Sequence, residues 1–377
     1  MNRMTDKDLY KQQMNLDEVK PKPLRDVPGS PENIKLKDFR PTSVFKTAAT
    51  IISRSKYPVI DMHTHAWQPT TDIHELVKRM EAANIEKSVI LSFETGSGFD
   101  DIITRFADYP EKFDIWCGLD YTGYSEPGTQ WIDRSIAELQ RCYNKGAKGV
   151  GELGDKGVGE YYSRPVAGYG MHLNDERMKP LLKKCGGLGL PISVHIADPI
   201  WMYLPMDIHN DGLMNAYNWR IDIDKKGILD HAQLLTTFED AVSQYPETVF
   251  IACHLANCSH DLDILGKMLD SYDNLYADIT SRLKEIATVP RYAKTFFEKY
   301  QDRLLYGSDA GYDPKTTLDF ATKIYRSTFR LLESADEHIY EHDLFKYHWP
   351  LYGLQLSDTI LNKLYHENSK KLMNNYK

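Results

Sequence analysis

The stretch VIDMHTHAW, residues 59–67, begins like a buried apolar strand and ends in two histidines that are one residue apart. Alternate side chains of a strand point to the same face, so His63 and His65 share a face, about 7 Å apart along the chain. Neutral imidazole is a common ligand of zinc, manganese and iron. Because 13 histidines in 377 residues produce roughly half an H-x-H motif by chance, the pair predicts a metal site only if other residues join it.

The composition limits the classes of protein to which the chain can belong. Its 377 residues are 42% hydrophobic, which suffices for one barrel-sized domain with insertions or for two smaller domains. The net charge of -8 disfavours nucleic-acid binding. No apolar run approaches the roughly 20 residues that span a membrane, and the N-terminal residues lack the apolar segment of an export signal. We therefore expect a cytoplasmic protein that binds neither nucleic acid nor membranes.

The five cysteines are scattered along the chain, and no two form a C-x-x-C pair. This spacing predicts buried free thiols rather than disulfides or a thiolate zinc site. Cys253 adjoins a candidate site residue, but strand alternation is expected to turn it away into the packing.

Residues 1–55 differ from the rest of the chain because they are polar, dotted with proline and without periodicity. They predict an N-terminal arm that wraps the domain or a partner, whereas residues 56–377 are expected to form the main domain. An arm of this kind could join chains into a homo-oligomer.

From residue 57 onward, short apolar segments rich in β-branched residues alternate with longer amphipathic segments. This alternation is typical of repeated βα units with a parallel sheet. Eight strands are predicted, at 57–65, 87–94, 113–120, 147–154, 191–198, 248–256, 274–281 and 303–310. Helices are predicted between them at 72–85, 131–146, 177–190, 234–246, 262–273 and 289–301.

Eight such units predict an α/β fold of the (β/α)₈ TIM-barrel type. A doubly wound open sheet is less favoured, because its usual glycine-rich phosphate loop after the first strand is missing. The longest connections, residues 155–175 and 199–227, follow strands 4 and 5 and are rich in tyrosine, tryptophan and methionine. Since barrels carry their active sites at this end of the strands, these loops are expected to form pocket walls.

Ionisable residues fall at the ends of five separate predicted strands. They are His63 and His65 on the first, Glu152 on the fourth, His195 on the fifth, His254 on the sixth and Asp309 on the eighth. One such residue alone could simply cap a helix or bond to the backbone. In a parallel barrel, however, all of these strand ends meet at one rim, so the set predicts a single site.

The chemistry of the set is that of a catalytic divalent cation. Imidazoles and carboxylates can hold the cation and leave one position open for water. The cation lowers the pKa of that water from about 15.7 toward about 7. Asp309 can then accept the proton of the water and pass it to the leaving group, while His254 can polarise the substrate oxygen or bind a second cation.

Several motifs together resemble the amidohydrolase superfamily, in particular its amidohydrolase 2 branch. The resemblance extends from about Pro58 to near the C-terminus and depends on PVIDMHTHA, GVGELGDKG, LNDERMKPLLKKCGGLGLPISVHIADP, ETVFIACHLAN, NLYADITSRL, RLLYGSDAG and the last helix DTILNKLYHENSKKLM. The resemblance implies a metal-dependent hydrolase with a TIM-barrel fold. The first and last strand motifs and the histidines of strands 5 and 6 are its specific part.

The resemblance also implies roles for individual residues. His63, His65, His195 and Asp309 become metal ligands, and His254 a catalytic or second-metal histidine. Family members differ at the fourth strand, where Glu152 resembles the binuclear TatD-like deoxyribonucleases. One or two divalent ions are therefore implied, with zinc expected and manganese as the alternative.

Other polar and aromatic residues are predicted near this site. Trp67 is predicted to bind the substrate, with packing as the alternative. Arg282, after the seventh strand, is predicted to neutralise an anionic substrate group, with a surface salt bridge as the alternative. Asp61 is expected to orient an imidazole by a hydrogen bond. Lys156 is expected to face solvent.

Two histidines near the C-terminus, His338 and His342, have the spacing of one helical face in EHIYEH. The sequence is not H-E-x-x-H, and its flanking acids indicate a solvated helix rather than a metal site.

The sequence thus predicts an enzyme that hydrolyses a small-molecule amide, lactone or ester by metal-activated water. The first alternative is a nonoxidative decarboxylase of an aromatic or unsaturated carboxylic acid, a reaction known among relatives of this family. A TatD-like phosphodiesterase is less favoured because the chain is acidic. A degenerate barrel that only binds a partner is the non-enzymatic alternative.

Overall fold

The computed structural model describes residues 33–66, 72–124, 130–156, 171–312, 318–342, 344 and 346–374. The chain divides into two compact units, Met1–Pro41 and Thr42–Lys377. The described part of the first unit contains a short 3₁₀ helix, Leu36–Asp38. The second unit contains every other element, and the predicted boundary at residue 55 stays a prediction.

Nine strands form in the described part of the chain. They are β1 Val59–His65, β2 Ile85–Leu91, β3 Phe113–Trp116, β4 Val150–Asp155, β5 Ile192–Ile196, β6 Phe250–Ala252, β7 Leu275–Asp278, β8 Leu304–Leu305 and β9 Ala310–Gly311. All of their pairings are parallel, in the orders β3-β2-β1-β9 and β4-β5-β6-β7-β8. Seven predicted strands are therefore confirmed, and the eighth is split into β8 and β9 by a bend.

Backbone hydrogen bonds join the two groups of strands at both seams. A parallel bridge pairs Cys117, just after β3, with Val150 of β4. On the other side, the Met62 N–H donates to the Tyr306 carbonyl at 2.9 Å, and the Asp309 N–H donates to the His63 carbonyl at 2.9 Å. The strands thus follow one another around a ring, as in the predicted (β/α)₈ barrel.

Twelve α-helices surround the strands in the described residues. They are α1 Ile73–Ala83, α2 Gly96–Arg105, α3 Trp131–Asn144, α4 Lys179–Leu188, α5 Leu213–Trp219, α6 His231–Gln244, α7 Leu262–Ser271, α8 Leu283–Ile286, α9 Pro290–Lys299, α10 Leu318–Glu333, α11 Asp358–Asn362 and α12 Asn368–Met373. A π-helical turn, Lys363–Glu367, joins the last two. None of these helices is long and apolar enough to cross a membrane.

Each of the six predicted helical segments contains a helix, with boundaries set by capping residues. Helix α1 starts after Asp72, whose side chain accepts from the Glu75 N–H, and ends at Asn84 in the left-handed conformation. Helix α6 starts earlier than predicted because Asp230 and Gln233 form a reciprocal capping box. The predicted helix around His338 is wrong: this segment instead forms an isolated antiparallel bridge between Ile339 and Leu351.

The apolar core has two layers. The smaller layer fills the inside of the barrel and consists of Ile60, Met62, Val89, Leu91, Trp116, Ile251, Tyr276, Leu305 and Leu372. The larger layer lies between the strands and the surrounding helices. Helix α12 contributes Leu372 to the inner layer, and Asn368 of the same helix donates to the Leu304 carbonyl at the start of β8. This helix therefore covers the end of the barrel opposite the histidines.

Candidate metal centre

The two histidines of β1 converge inside the barrel. Strand β1 has an irregular register between Asp61 and Thr64, which is the effect of a β-bulge. The bulge places Met62 in the inner core and still turns His63 and His65 inward, whereas Asp61 faces α10. The two Nε2 atoms are 3.2 Å apart, so the predicted shared face is confirmed.

The other ring nitrogens of these histidines are fixed by hydrogen bonds. The Nδ1 of His65 lies 3.0 Å from the Leu91 carbonyl, which can only accept, so this nitrogen carries the proton. The Nδ1 of His63 lies 2.9 Å from a carboxylate oxygen of Asp278 at the end of β7. In neutral rings, both Nε2 atoms would therefore present lone pairs to each other.

A second group of ligands lies against the first. Glu152 Oε1 is 2.7 Å from His195 Nδ1 and 3.2 Å from His254 Nε2. The same oxygen is 3.7 Å from His63 Nε2, and Oε2 is 3.7 Å from His65 Nε2. Glu152 consequently lies between the histidines of β1 and those of the fifth and sixth units.

His254 is presented by a left-handed turn rather than by the strand that was predicted there. Residues 254–257 have φ angles between 52° and 57°. The Asn257 side chain holds the turn by donating to the carbonyls of Ile196 and Ala197 at 3.0 and 3.1 Å. The His254 Nδ1–H donates to the Thr280 carbonyl at 3.0 Å, which leaves a lone pair on Nε2 of the neutral ring.

Asp309 lies in the bend between β8 and β9, with a φ of 60°. The Ser281 hydroxyl donates to Asp309 Oδ2 at 2.8 Å, and this bond leaves Oδ1 directed at His65 Nε2, 3.3 Å away. Burial would raise the pKa of Asp309, but the histidines around it, His65 first, lower it below its usual value. Asp309 is therefore an oriented, ionised carboxylate.

The charges in the cluster depend on one another. Burial lowers the pKa of His254 to about 4, and the charge of His195 adds to this effect, so His254 is neutral near pH 7. Burial would also lower the pKa of His63, but the charges of Asp278 and Glu152 outweigh it and raise that pKa well above its usual value. Burial would raise the pKa of Glu152, yet His195 and His63 lower it well below the usual value.

These residues fit a divalent cation. Among the described residues, four groups of three have candidate ligand atoms that all lie within 4.8 Å of one another. Two of these groups consist only of predicted site residues; they are His63, His65 and Asp309, and Glu152, His195 and His254. Because the pKa of His63 is raised, its ring carries a second proton that can lie between the two Nε2 atoms, and a cation could take the place of that proton. Imidazole nitrogens and carboxylate oxygens are typical ligands of zinc and manganese.

Sequence reasoning missed Asp278, although it lies at a strand end like the other candidates. Its Oδ2 orients His63, and its Oδ1 accepts from the backbone N–H of His254 at 2.8 Å.

The prediction that Asp61 orients an imidazole is wrong. Because of the bulge, its carboxylate accepts instead from the backbone N–H groups of His63 and Ser308.

Arg282 is buried, so the alternative of a surface salt bridge is wrong. Its guanidinium is paired with Glu285 at 3.1 Å, and its Nε has no partner among the described residues. The prediction that it binds substrate stays a prediction, and the one made for Trp67 lies outside the described residues. Lys156 does not face solvent as expected: its side chain is 12% exposed and lies 4.0 Å from Asp198.

Cys253 is buried, and its thiol lies 2.9 Å from the Ser193 hydroxyl. It is not turned away into the packing as expected. Its sulfur lies within 4.8 Å of ligand atoms of both His63 and Glu152. Burial raises the pKa of Cys253, so the residue stays a thiol near pH 7. All five cysteines are free and buried, as predicted.

The similarity to one solved structure supports the barrel fold, and two further solved structures are similar at lower scores. An uncharacterised TIM-barrel protein from Bordetella bronchiseptica superposes with a TM-score of 0.54 at 16% identity, over 85% of this chain and 99% of its own. A zinc-bound amidohydrolase from Burkholderia multivorans gives 0.47 at 11% identity, over 84% and 99% of the two chains. A TatD homologue from Escherichia coli K12 gives 0.40 at 15% identity, over 84% and 94%.

No curated protein matches the chain by sequence. The sequence model of the amidohydrolase family, in contrast, matches residues 60–374, which include every candidate ligand of the site and all of the strands except Val59, the first residue of β1. The chain therefore belongs to the amidohydrolase family of metal-dependent hydrolases.

Proposed function

We propose that this protein hydrolyses a small-molecule amide, lactone or ester at a divalent metal centre. His63, His65, Glu152, His195 and Asp309 would hold the metal, and Asp309 and His254 would act in the reaction. The observation that carries the proposal is the pair of imidazole Nε2 atoms 3.2 Å apart, with Glu152 and Asp309 beside them. Such a buried set of imidazoles and carboxylates is suited to a divalent cation.

When bound, a divalent cation would supply Lewis acidity and bring the pKa of water toward neutrality. Asp309 is the residue placed to accept a proton, because Ser281 occupies its Oδ2 and leaves Oδ1 free to face the centre. The same oxygen would return the proton to the leaving group. The only ring proton of neutral His254 is on Nδ1, which donates to the Thr280 carbonyl. His254 Nε2 therefore has a lone pair, which favours a role as a metal ligand or proton acceptor over donation to a substrate oxygen.

Glu152 supports a centre that takes one or two ions, with zinc first and manganese as the alternative. Its two oxygens face different histidines, so it could serve both groups of ligands at once. A small molecule is the expected partner. Elemental analysis of the wild type and Glu152→Gln after zinc loading would count the ions, and we expect the variant to lose at least one ion per chain.

The central test removes His195 from the second group of ligands. We expect His195→Ala to abolish hydrolysis of an amide, lactone and ester panel and to lower the metal content, while circular dichroism stays that of the wild type. The matched control is His260→Ala, an exposed histidine outside the centre. Wild-type protein without divalent metal after reconstitution, or full activity in His195→Ala, would refute the proposal.

The decarboxylase alternative is tested by the same panel extended to aromatic acids. Arg282 is the residue that would favour a carboxylate substrate, but its guanidinium is already paired with Glu285. This pairing supports hydrolysis as the first choice. Release of carbon dioxide without hydrolysis of any panel member would reverse the order, and cleavage of phosphodiesters alone would support the third alternative.

A further inference from the structure

Cys253 differs from the other cysteines in its surroundings. The other four belong to the larger apolar layer; they are Cys117, Cys142, Cys185 and Cys258. Cys253 follows β6 and is fully buried, but it belongs to neither apolar layer. Its thiol lies instead 2.9 Å from the hydroxyl of Ser193 on β5. Apolar packing therefore accounts for four of the cysteines and not for Cys253.

The sulfur of Cys253 lies beside both groups of candidate metal ligands. It forms a group with one nitrogen of His63 and one carboxylate oxygen of Glu152, in which all three atoms lie within 4.8 Å of one another. His63 belongs to the ligand group of β1, whereas Glu152 belongs to the group of His195 and His254. The sulfur is thus placed where the two groups meet.

The spacing of these three atoms is close to what one ion requires. Zinc lies about 2.0–2.1 Å from imidazole nitrogen, about 2.0–2.2 Å from carboxylate oxygen and about 2.3 Å from sulfur, so its tetrahedral ligands are about 3.4–3.6 Å apart. His63 Nε2 is 3.7 Å from Glu152 Oε1. Side-chain movements of about 1 Å would bring the sulfur to an ion held by this pair.

Sulfur also distinguishes between the two ions that the imidazoles and carboxylates leave open. Thiolate is a soft ligand that zinc accepts readily, whereas manganese prefers oxygen. A site built from several thiolates is disfavoured by the scattered cysteines. One thiolate among imidazoles and carboxylates is a different ligand set, and it needs no second cysteine.

We propose that Cys253 is a further ligand of the metal centre and that its sulfur makes the centre prefer zinc to manganese. This inference rests on the proposed function, because it concerns the same centre. On binding, the thiol would release its proton to solvent, and the sulfur would share an electron pair with the cation. No oxidation is involved. The Ser193 hydroxyl could then donate to the thiolate and hold it in place.

The test is titration of the metal-free, full-length protein with cobalt(II), which occupies zinc sites and reports its ligands by its absorption spectrum. A thiolate bound to cobalt(II) produces an intense charge-transfer band in the near ultraviolet, which imidazole and carboxylate ligands do not produce. We expect this band to saturate together with the cobalt content of the wild type. Cys253→Ala should still bind cobalt but lack the band.

The matched control is Cys185→Ala, which removes a buried cysteine of α4 from the larger apolar layer and should keep the band. Competition between zinc and manganese gives a second measurement. We expect the preference of the wild type for zinc to fall at least tenfold in Cys253→Ala and to stay unchanged in Cys185→Ala. Circular dichroism would show that both variants are folded.

The possible results separate this inference from the proposed hydrolysis. Wild-type protein that binds cobalt without the charge-transfer band would overturn the inference and leave the hydrolysis intact, since imidazoles and carboxylates can hold an ion without sulfur. This result does not depend on the folding of any variant. A band that persists in Cys253→Ala, or an unchanged preference for zinc in that variant, would also overturn the inference. Wild-type protein that binds no cobalt, zinc or manganese would overturn both.

Discussion

At the scale of single residues, Asp278 determines how two histidines are presented. One carboxylate oxygen contacts the ring of His63, and the other accepts from the backbone of His254. Burial would raise the pKa of Asp278, but His63 and then His254 lower it, so the residue stays ionised and accepts both bonds. A carboxylate behind a ligand histidine orients the ring and increases its basicity.

The first prediction concerns this carboxylate. Asp278→Asn should weaken metal binding by about 10- to 100-fold, because the ring of His63 loses its charged partner. Activity should recover in part when the metal concentration is raised. Metal titrations of activity would measure both effects, with Asp273→Asn, an exposed aspartate, as the control. Unchanged metal affinity in Asp278→Asn would contradict the assignment.

The second prediction concerns pH and Asp61, whose burial raises its pKa from 3.8 to about 6. The folded protein then holds this proton more tightly than the unfolded chain does. The contribution of Asp61 to stability is consequently most favourable below pH 4 and falls as the pH rises to about 6. The stability difference between metal-free wild type and Asp61→Asn should fall by about 2 kcal/mol between pH 4 and pH 7.

Denaturant unfolding at several pH values would measure this change. Asp336→Asn is the control with the opposite sign, because Thr50 and Arg330 outweigh the burial of Asp336 and lower its pKa. The stability difference between the wild type and that variant should not fall over the same range. A flat difference for Asp61→Asn would show that Asp61 titrates normally.

At the scale of elements, the left-handed turn after β6 places His254 in the site and is held by hydrogen bonds to the end of β5. Residues 254–257 have positive φ angles, which cost energy for residues other than glycine and persist only when their surroundings hold them. Asn257 supplies that support by donating to the carbonyls of Ile196, the last residue of β5, and of Ala197, which follows it. His231 of α6 adds a contact at 3.1 Å between its Nε2 and the Asn257 carbonyl.

The third prediction compares the free energy of unfolding with the metal affinity of variants at this turn. Asn257→Ala should lower the free energy of unfolding by about 2 kcal/mol, because buried carbonyls lose their donors. It should also reduce metal affinity at least tenfold. Asn274→Ala is the matched control, since Asn274 donates to the carbonyls of Val242, Tyr245 and Thr248 away from the site.

Denaturation midpoints and metal titrations of the two variants would give the comparison. Equal metal affinity in Asn257→Ala and Asn274→Ala would mean that the turn does not position His254. A loss of metal affinity in Asn257→Ala alone would confirm that it does.

At the scale of the whole molecule, one end of the barrel carries the candidate metal ligands and the other end is covered by a helix. The carboxyl ends of the strands carry the candidate ligands, and α12 covers the opposite end with Leu372. The Tyr306 N–H donates to the Leu364 carbonyl at 3.0 Å, which also ties this covering segment to the barrel. Stability and chemistry are thus separated along the barrel axis.

The fourth prediction uses this separation. Leu372→Ala should lower the free energy of unfolding by about 2–4 kcal/mol through the cavity that it leaves, with kcat unchanged. The control is Leu204→Ala, at a leucine that is 41% exposed, which should change stability by less than about 0.5 kcal/mol. Thermal unfolding and steady-state kinetics would measure both quantities, and a tenfold fall in kcat for Leu372→Ala would contradict the separation.

The sequence by itself determined the barrel and the residues at its rim. Alternating apolar and amphipathic segments indicate βα units, and the carboxyl ends of parallel strands must meet at one edge. His65, His195 and Asp309 could therefore be placed together although they are far apart along the chain. The family resemblance assigned the same residues.

Only the tertiary structure decided which atoms touch. The bulge in β1 turned Asp61 away from the imidazoles. Asp278 instead orients the ring of His63, which is the role that the sequence predicted for Asp61. The left-handed turn at His254 and the position of Cys253 beside Glu152 likewise depend on contacts between distant segments. Periodicity reports which face a residue occupies in a regular element, whereas bulges and turns arise where the chain departs from regularity to satisfy buried polar groups and close packing.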